Sequence, residues 1–144
     1  MIRHLLGGLL AAGLTTTAAM AEPRSPATAQ ATSQAEYTVF MLVKTNDPWL
    51  KLTPEQRFAF LGSDIEPILK SHPGVRLRFF DTEFFNSDVT DVLVWETSDL
   101  KAYQMVIEAL RESRFWDHYF QVVSILPGIE NAYASNYKVK PVGR

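Results

Sequence analysis

Residues 37–85, YTVFMLVKTNDPWLKLTPEQRFAFLGSDIEPILKSHPGVRLRFFDTEFF, change their apolar rhythm twice. Tyr37 to Lys44 is β-branched and aromatic without a breaker, which predicts a strand. Asn46, Asp47 and Pro48 then mark a loop over Thr45 to Leu52. Thr53, Pro54 and Gln56 supply an N-cap, a proline at the first helical position and the third residue of a capping box. Phe58, Leu61, Ile65, Ile68 and Leu69 come next, on one stripe at helical spacing. Pro67 inside that run removes the bond to the Ser63 carbonyl, so a kink or early end is expected there. His72-Pro73-Gly74 stops the helix, and Val75 to about Phe85 returns to strand alternation. One set is Val75, Leu77, Phe79, Asp81 and Glu83; the other is Arg76, Arg78, Phe80, Thr82 and Phe84.

Asn86-Ser87-Asp88 makes a tight connection to a third strand, Val89 to Glu96, paired with the second as a hairpin. A second helix starts at Ser98 or Asp99 and aligns Leu100, Tyr103, Val106, Ile107 and Leu110, with Arg111 and Arg114 near its negative end. A last strand runs from Tyr119 or Phe120 to Leu126, before Pro127-Gly128. The order β-α-β-β-α-β predicts an α+β, ferredoxin-like sandwich: a four-stranded antiparallel sheet with two helices on one face. Both sets of residues on the inner strands are apolar, Phe40 and Leu42 or Val39 and Met41, Val92 and Val94 or Leu93 and Trp95. A sheet covered by helices on one side needs only one such face, so the other requires a cover. A second copy, sheet against sheet, would make a dimeric α+β barrel with a small-molecule pocket inside.

Arg3 and His4 followed by LLGGLLAAGL at 5–14 and Ala19-Met20-Ala21 predict a signal peptide over residues 1–21, cleaved before Glu22. Its apolar run is half the ~20 residues a bilayer crossing needs. Residues 22–35 are small, polar and proline-bearing, a flexible leader. The domain proper is residues 36–134, and residues 135–144 are a polar tail or an extra edge strand. Localisation is therefore expected to be exported, periplasmic or secreted, with no membrane span in the mature chain. The chain has no cysteine, which excludes a disulfide framework and a lipid-modified cysteine. Without residues 1–21, Lys+Arg falls from 14 to 13 against 16 Asp+Glu, a formal charge of −3. No basic face is concentrated enough for nucleic acid.

The stretches YTVFMLVKTNDPWLKLTPEQRFAF, RLRFFDTEFF and FWDHYFQVVSILPGIENAYA resemble the darcynin family, small bacterial proteins of undefined function. The resemblance covers about Tyr37 to Ala134 and implies no catalytic residues. More distantly the fold is similar to dimeric α+β barrel proteins that include monooxygenases, haem-degrading enzymes, cyclases and isomerases. Fold alone does not choose among reactions.

The candidate chemistry lies in three places. Arg76 and Arg78 share one strand face and could hold a carboxylate or similar anion bidentately; the alternative is ion pairing with Asp81, Asp91 or Glu96. His118 beside Asp117 could move a proton near neutral pH; the alternative is a turn histidine with its ring in water. Trp95, Trp116 and Tyr119, with Trp49, Phe84, Phe85, Phe115 and Tyr133, could wall a planar ligand or serve as core and interface. Asn46, Trp95 and His118 also match in residue type the polar set of haem-degrading barrels. Two histidines in the mature chain without zinc-binding spacing, and no phosphate-cradling glycine loop, lead us to expect neither metal nor cofactor. Two classes of function remain. One is an exported homodimer that binds a small planar or anionic molecule. The other is a cofactor-free barrel enzyme of monooxygenase, isomerase or cyclase type, in which His118 and Asp117 transfer a proton and Arg76 and Arg78 anchor the substrate.

Overall fold

The structure, a computed structural model, describes residues 36–143; the expected signal peptide and leader lie outside the described residues. Its elements are β1 (Tyr37–Thr45), α1 (Asp47–Leu50), α2 (Pro54–Phe60), a π-helical turn (Leu61–Ile65), α3 (Glu66–Ser71), β2 (Val75–Asp81), β3 (Asp91–Thr97), α4 (Leu100–Arg111), β4 (Phe120–Gly128) and α5 (Ala132–Tyr137). The sheet is antiparallel in the order β2-β3-β1-β4, the arrangement of a ferredoxin-like sandwich.

Cross-strand register sorts the side chains into rows. Leu77-Trp95-Val39 and Phe79-Leu93-Met41 face the helices, and Asp81-Asp91-Val43 ends the same face. Against it pack Phe60, Ile65, Val106, Leu110, Phe115 and Phe120, all buried, so both helical segments cover one side of the sheet. On the other side lie Phe80-Val92-Leu42 and Arg78-Val94-Phe40-Leu126, then a polar row, Arg76-Glu96-Thr38. Phe40, Phe80 and Leu126 are 41%, 45% and 53% exposed, so the helix-free face is indeed apolar at its centre.

Several boundaries move for local reasons. The capping box forms as expected, with the Gln56 amide donating to Thr53 Oγ1 (3.3 Å) and the Thr53 amide to Gln56 Oε1 (2.8 Å). The break produced by Pro67 falls just upstream, as the π turn at 61–65. β2 ends at Asp81 rather than near Phe85, because Thr82 makes a turn: its hydroxyl donates to the Val89 carbonyl (2.8 Å) and its carbonyl accepts from the Phe85 amide (2.9 Å). Asn86 Oδ1 closes the hairpin by accepting from the amides of Asp88 (2.8 Å) and Val89 (3.0 Å). β4 continues through Pro127 to Gly128 on the sheet edge, where a proline's missing N–H is tolerated. Beyond it α5 straddles the expected boundary at 134, and no further edge strand forms among the described residues.

Candidate functional site

The residues singled out from sequence do not converge. Arg76 and Arg78 stand on the helix-free face at the β2 edge, and both reach the Glu96 carboxylate (2.8 and 3.3 Å). Arg78 also lies 5.6 Å from the centre of the Phe80 ring. This is the ion-paired alternative, with Glu96 as the partner; Asp81 and Asp91 point to the other face. His118 and Asp117 are exposed in a tight turn before β4, where Asp117 takes a positive φ of 60° and the Asp117 amide donates to the Phe120 carbonyl (2.8 Å). Asn46 Nδ2 donates to the Asp117 carbonyl (3.0 Å), so Asn46 fastens this turn to the end of β1. The His118 ring rests 4.7 Å from the Tyr119 ring.

Tyr119 is buried between Trp49 and Phe60, at ring distances of 5.3 and 4.9 Å, and belongs to the core. Trp116 is half-buried beneath the Arg111 guanidinium, 5.5 Å from its ring centre. Trp95 is fully buried on the helix side of the sheet, edge-on to Tyr103. Its indole N–H has no hydrogen-bond partner, and neither has the buried Tyr103 hydroxyl. Burial pushes the Tyr103 pKa up to about 12, so the phenol stays protonated.

A cavity of about 610 Å³ opens between the α2–α3 limb and strands β2 and β3, on the side of the sheet away from the expected barrel interior. Of the seven residues proposed from sequence, only Trp95 lines it. Phe58, Leu61 and Leu69 form one wall, and Leu77, Phe79 and Leu93 the floor. The π turn accounts for this opening. One extra residue per turn rotates the downstream side chains by about 100°, so Phe60 and Ile65 reach the core while Phe58 stays 73% exposed at the cavity rim.

The polar end of the cavity is acidic. Asp91 is nearly sealed from water, and its Oδ2 accepts from the hydroxyls of Thr90 (2.7 Å) and Thr45 (2.9 Å). Burial raises its pKa; the two hydroxyls oppose the rise and the Asp81 charge adds to it. Asp81 lies directly across the strand pair from Asp91, and Glu83 and Glu66 complete the rim. Sequence reasoning missed this group. The available signal was an acid in each apolar set, Asp81 after Leu77 and Phe79, and Asp91 before Leu93 and Trp95. Arg57, the basic residue of the wall, is held by the carbonyls of Trp49 and Leu50 (both 3.3 Å). No histidine lines the cavity, so its donor set does not fit an imidazole-ligated haem. Among the described residues, no group of three or more His, Cys, Asp and Glu could hold a metal ion, and no helix is long and apolar enough to cross a membrane.

Darcynin, described as a domain of unknown function, matches residues 23–144. A darcynin homolog of Granulibacter bethesdensis is 54% identical over 101 residues, covering 69% of this chain and 82% of that one. A second, from Streptomyces avermitilis, is 51% identical over 106 residues, covering 73% and 88%. Among solved structures the chain is similar to chlorite dismutase from Candidatus Nitrospira defluvii. The form in complex with imidazole superposes with a TM-score of 0.57 at 21% identity, covering 67% of this chain and 40% of that one. A single-residue mutant gives 0.61 at 19%, covering 72% and 44%. The chain thus spans less than half the length of those proteins, and the likeness is one of fold.

Proposed function

We infer that this chain, which belongs to the darcynin family, is an exported binding protein that works as a pair of copies and holds a small, largely apolar molecule between its α2–α3 limb and the sheet. The observation that carries this reading is the cavity of about 610 Å³. Its volume falls within the roughly 300–1,000 Å³ of ligand pockets, and such pockets combine apolar walls with a few polar groups. Trp49, Phe58, Phe79 and Phe115 give it flat aromatic surfaces suited to a planar body. Binding rather than proton transfer is favoured because His118 and Asp117 sit in an exposed turn, remote in role from Arg76 and Arg78, which Glu96 occupies. Export is supported by Arg3, the apolar stretch at 5–14 and Ala19-Met20-Ala21, and by a family match that begins at residue 23. Pairing is supported by the two apolar rows on the helix-free face.

Native mass spectrometry of protein taken from the periplasmic extract of an expressing host tests all three parts. The expected species is a pair of chains, each beginning at Glu22, carrying a small adduct. Leu61→Trp, which fills the cavity rim, is expected to lose the adduct while keeping the pair. An unprocessed single chain would overturn the reading, as would an adduct indifferent to Leu61→Trp.

A further inference from the structure

We propose that the cavity selects an elongated ligand with a cationic nitrogen at one end, held by Asp81 and Asp91, and an oxygen acceptor at the other, facing the Trp95 indole. This rests on the reading that the cavity binds a small molecule, and it names the class of that molecule.

Three independent features point to it. Asp81 and Asp91 are directly opposed across β2 and β3, a placement in which like charges are unfavourable unless a cation lies between them or one is protonated. Among the described residues no lysine or arginine pairs with Asp81, Glu83 or Asp91. Glu66 is paired with Lys70 (2.8 Å), and Arg57 is turned to the Trp49 and Leu50 carbonyls. The charge that the acidic end lacks must therefore come from outside the chain. Two half-buried threonine hydroxyls already donate to Asp91, so the carboxylate is held in place for one more donor.

The second feature is Trp95. It is fully buried, forms part of the cavity wall and has an indole N–H without any partner. A buried donor left unsatisfied is unfavourable, and a ligand oxygen would satisfy it. The third feature is spacing. Asp91 and Trp95 lie on the same face of β3, four residues apart, which is about 13 Å along a strand. Leu93 and Phe79 occupy the floor between them, so the middle of the ligand is apolar.

A rigid series tests the proposal: 4-acetyl-4'-(aminomethyl)biphenyl, the 4'-methyl compound without the nitrogen, and 4'-acetylbiphenyl-4-carboxylate. Titration calorimetry on the mature protein should rank the ammonium compound about tenfold or more tighter than the methyl compound, with the carboxylate weakest. Asp81→Asn, at an exposed position that leaves the Thr45–Asp91–Thr90 bonds intact, should remove most of the ammonium advantage and leave the methyl compound unchanged. Replacing the acetyl group of the ammonium compound by ethyl should weaken it several-fold. Equal binding of all three heads, or preference for the carboxylate, overturns the proposal while leaving the cavity a binding site. Failure of every compound to bind overturns both.

Discussion

Asp91 begins β3 nearly sealed from water, and its ionisation couples the cavity to pH. The carboxyl pKa is raised, first by burial and also by the Asp81 charge opposite, while Thr90 and Thr45 pull it down without cancelling the rise. Glu83 and Glu66 share the cavity rim, and Arg57 faces it from α2. A group that holds its proton more tightly when folded stabilises the fold below the ordinary carboxylate range and loses that contribution as pH rises through its raised value. Acidification from neutral pH should therefore gain stability at this residue. Glu55 and Glu66, whose pKa values are lowered on the exposed surface, work in the opposite direction, and only at lower pH. Asp91→Asn removes the titration. Urea unfolding at pH 7 and pH 5 should show the wild type gaining relative to Asp91→Asn on going to pH 5, and an identical change in both proteins would refute the assignment. At this scale the sequence is partly readable. The Arg76–Arg78 pair is visible in it, and so is Glu96 as its partner, because alternation puts all three on one face. The role of Asp91 is not, because an acid at a strand end looks solvated until the packing of α2 and α3 above it is known.

Helix α4 and the broken α2–α3 limb show how far local pattern carries. In α4 the N-cap is direct: Asp99 Oδ1 accepts from the Lys101 amide (2.8 Å) and the Ala102 amide (3.1 Å), and Val106 and Leu110 bury the stripe read from spacing. Removing a cap of this kind costs about 1 kcal/mol. Asp99→Ala should lower the stability to urea by that amount, and Asp99→Ser should restore most of it; an unchanged midpoint in Asp99→Ala would mean the cap contributes nothing. The α2–α3 limb is harder to read. Its stripe of Phe58, Leu61, Ile65, Ile68 and Leu69 assumes an uninterrupted 3.6 period. Pro67 forbids that, and the π turn at 61–65 resolves the conflict by shifting register. Phe60 therefore enters the core, against Trp49 at 5.9 Å and Tyr119 at 4.9 Å, and Phe58 is left at the rim. The cavity results from that shift, which no single-helix reading could supply.

In the whole molecule the strands do two jobs with two faces. The helix side closes the core and frames the cavity, and the other side leaves Phe80, Val92, Leu42, Val94, Phe40 and Leu126 in adjoining rows. Covering ~400 Å² of such surface is worth on the order of 10 kcal/mol before the cost of association, enough for a stable pair. A second copy is the natural occupant, since a two-fold axis brings the same rows against themselves and leaves the Arg76–Arg78–Glu96 cluster at the rim. Light scattering on the mature protein should accordingly return twice the chain mass. Phe40→Glu places a charge at the centre of the face without touching the helix-side core, because Phe40 points away from Val39 and Met41. It should give a folded single chain with unchanged far-ultraviolet dichroism, and Leu126→Lys at the β4 edge should weaken the pair less, because it lies nearer the perimeter. The ligand cavity lies on the opposite side of the sheet, so Phe40→Glu should keep its ligand while losing its partner. A variant that stays paired, or a wild type that is single at micromolar concentration, would show that the apolar rows face water, and the barrel would have to be abandoned.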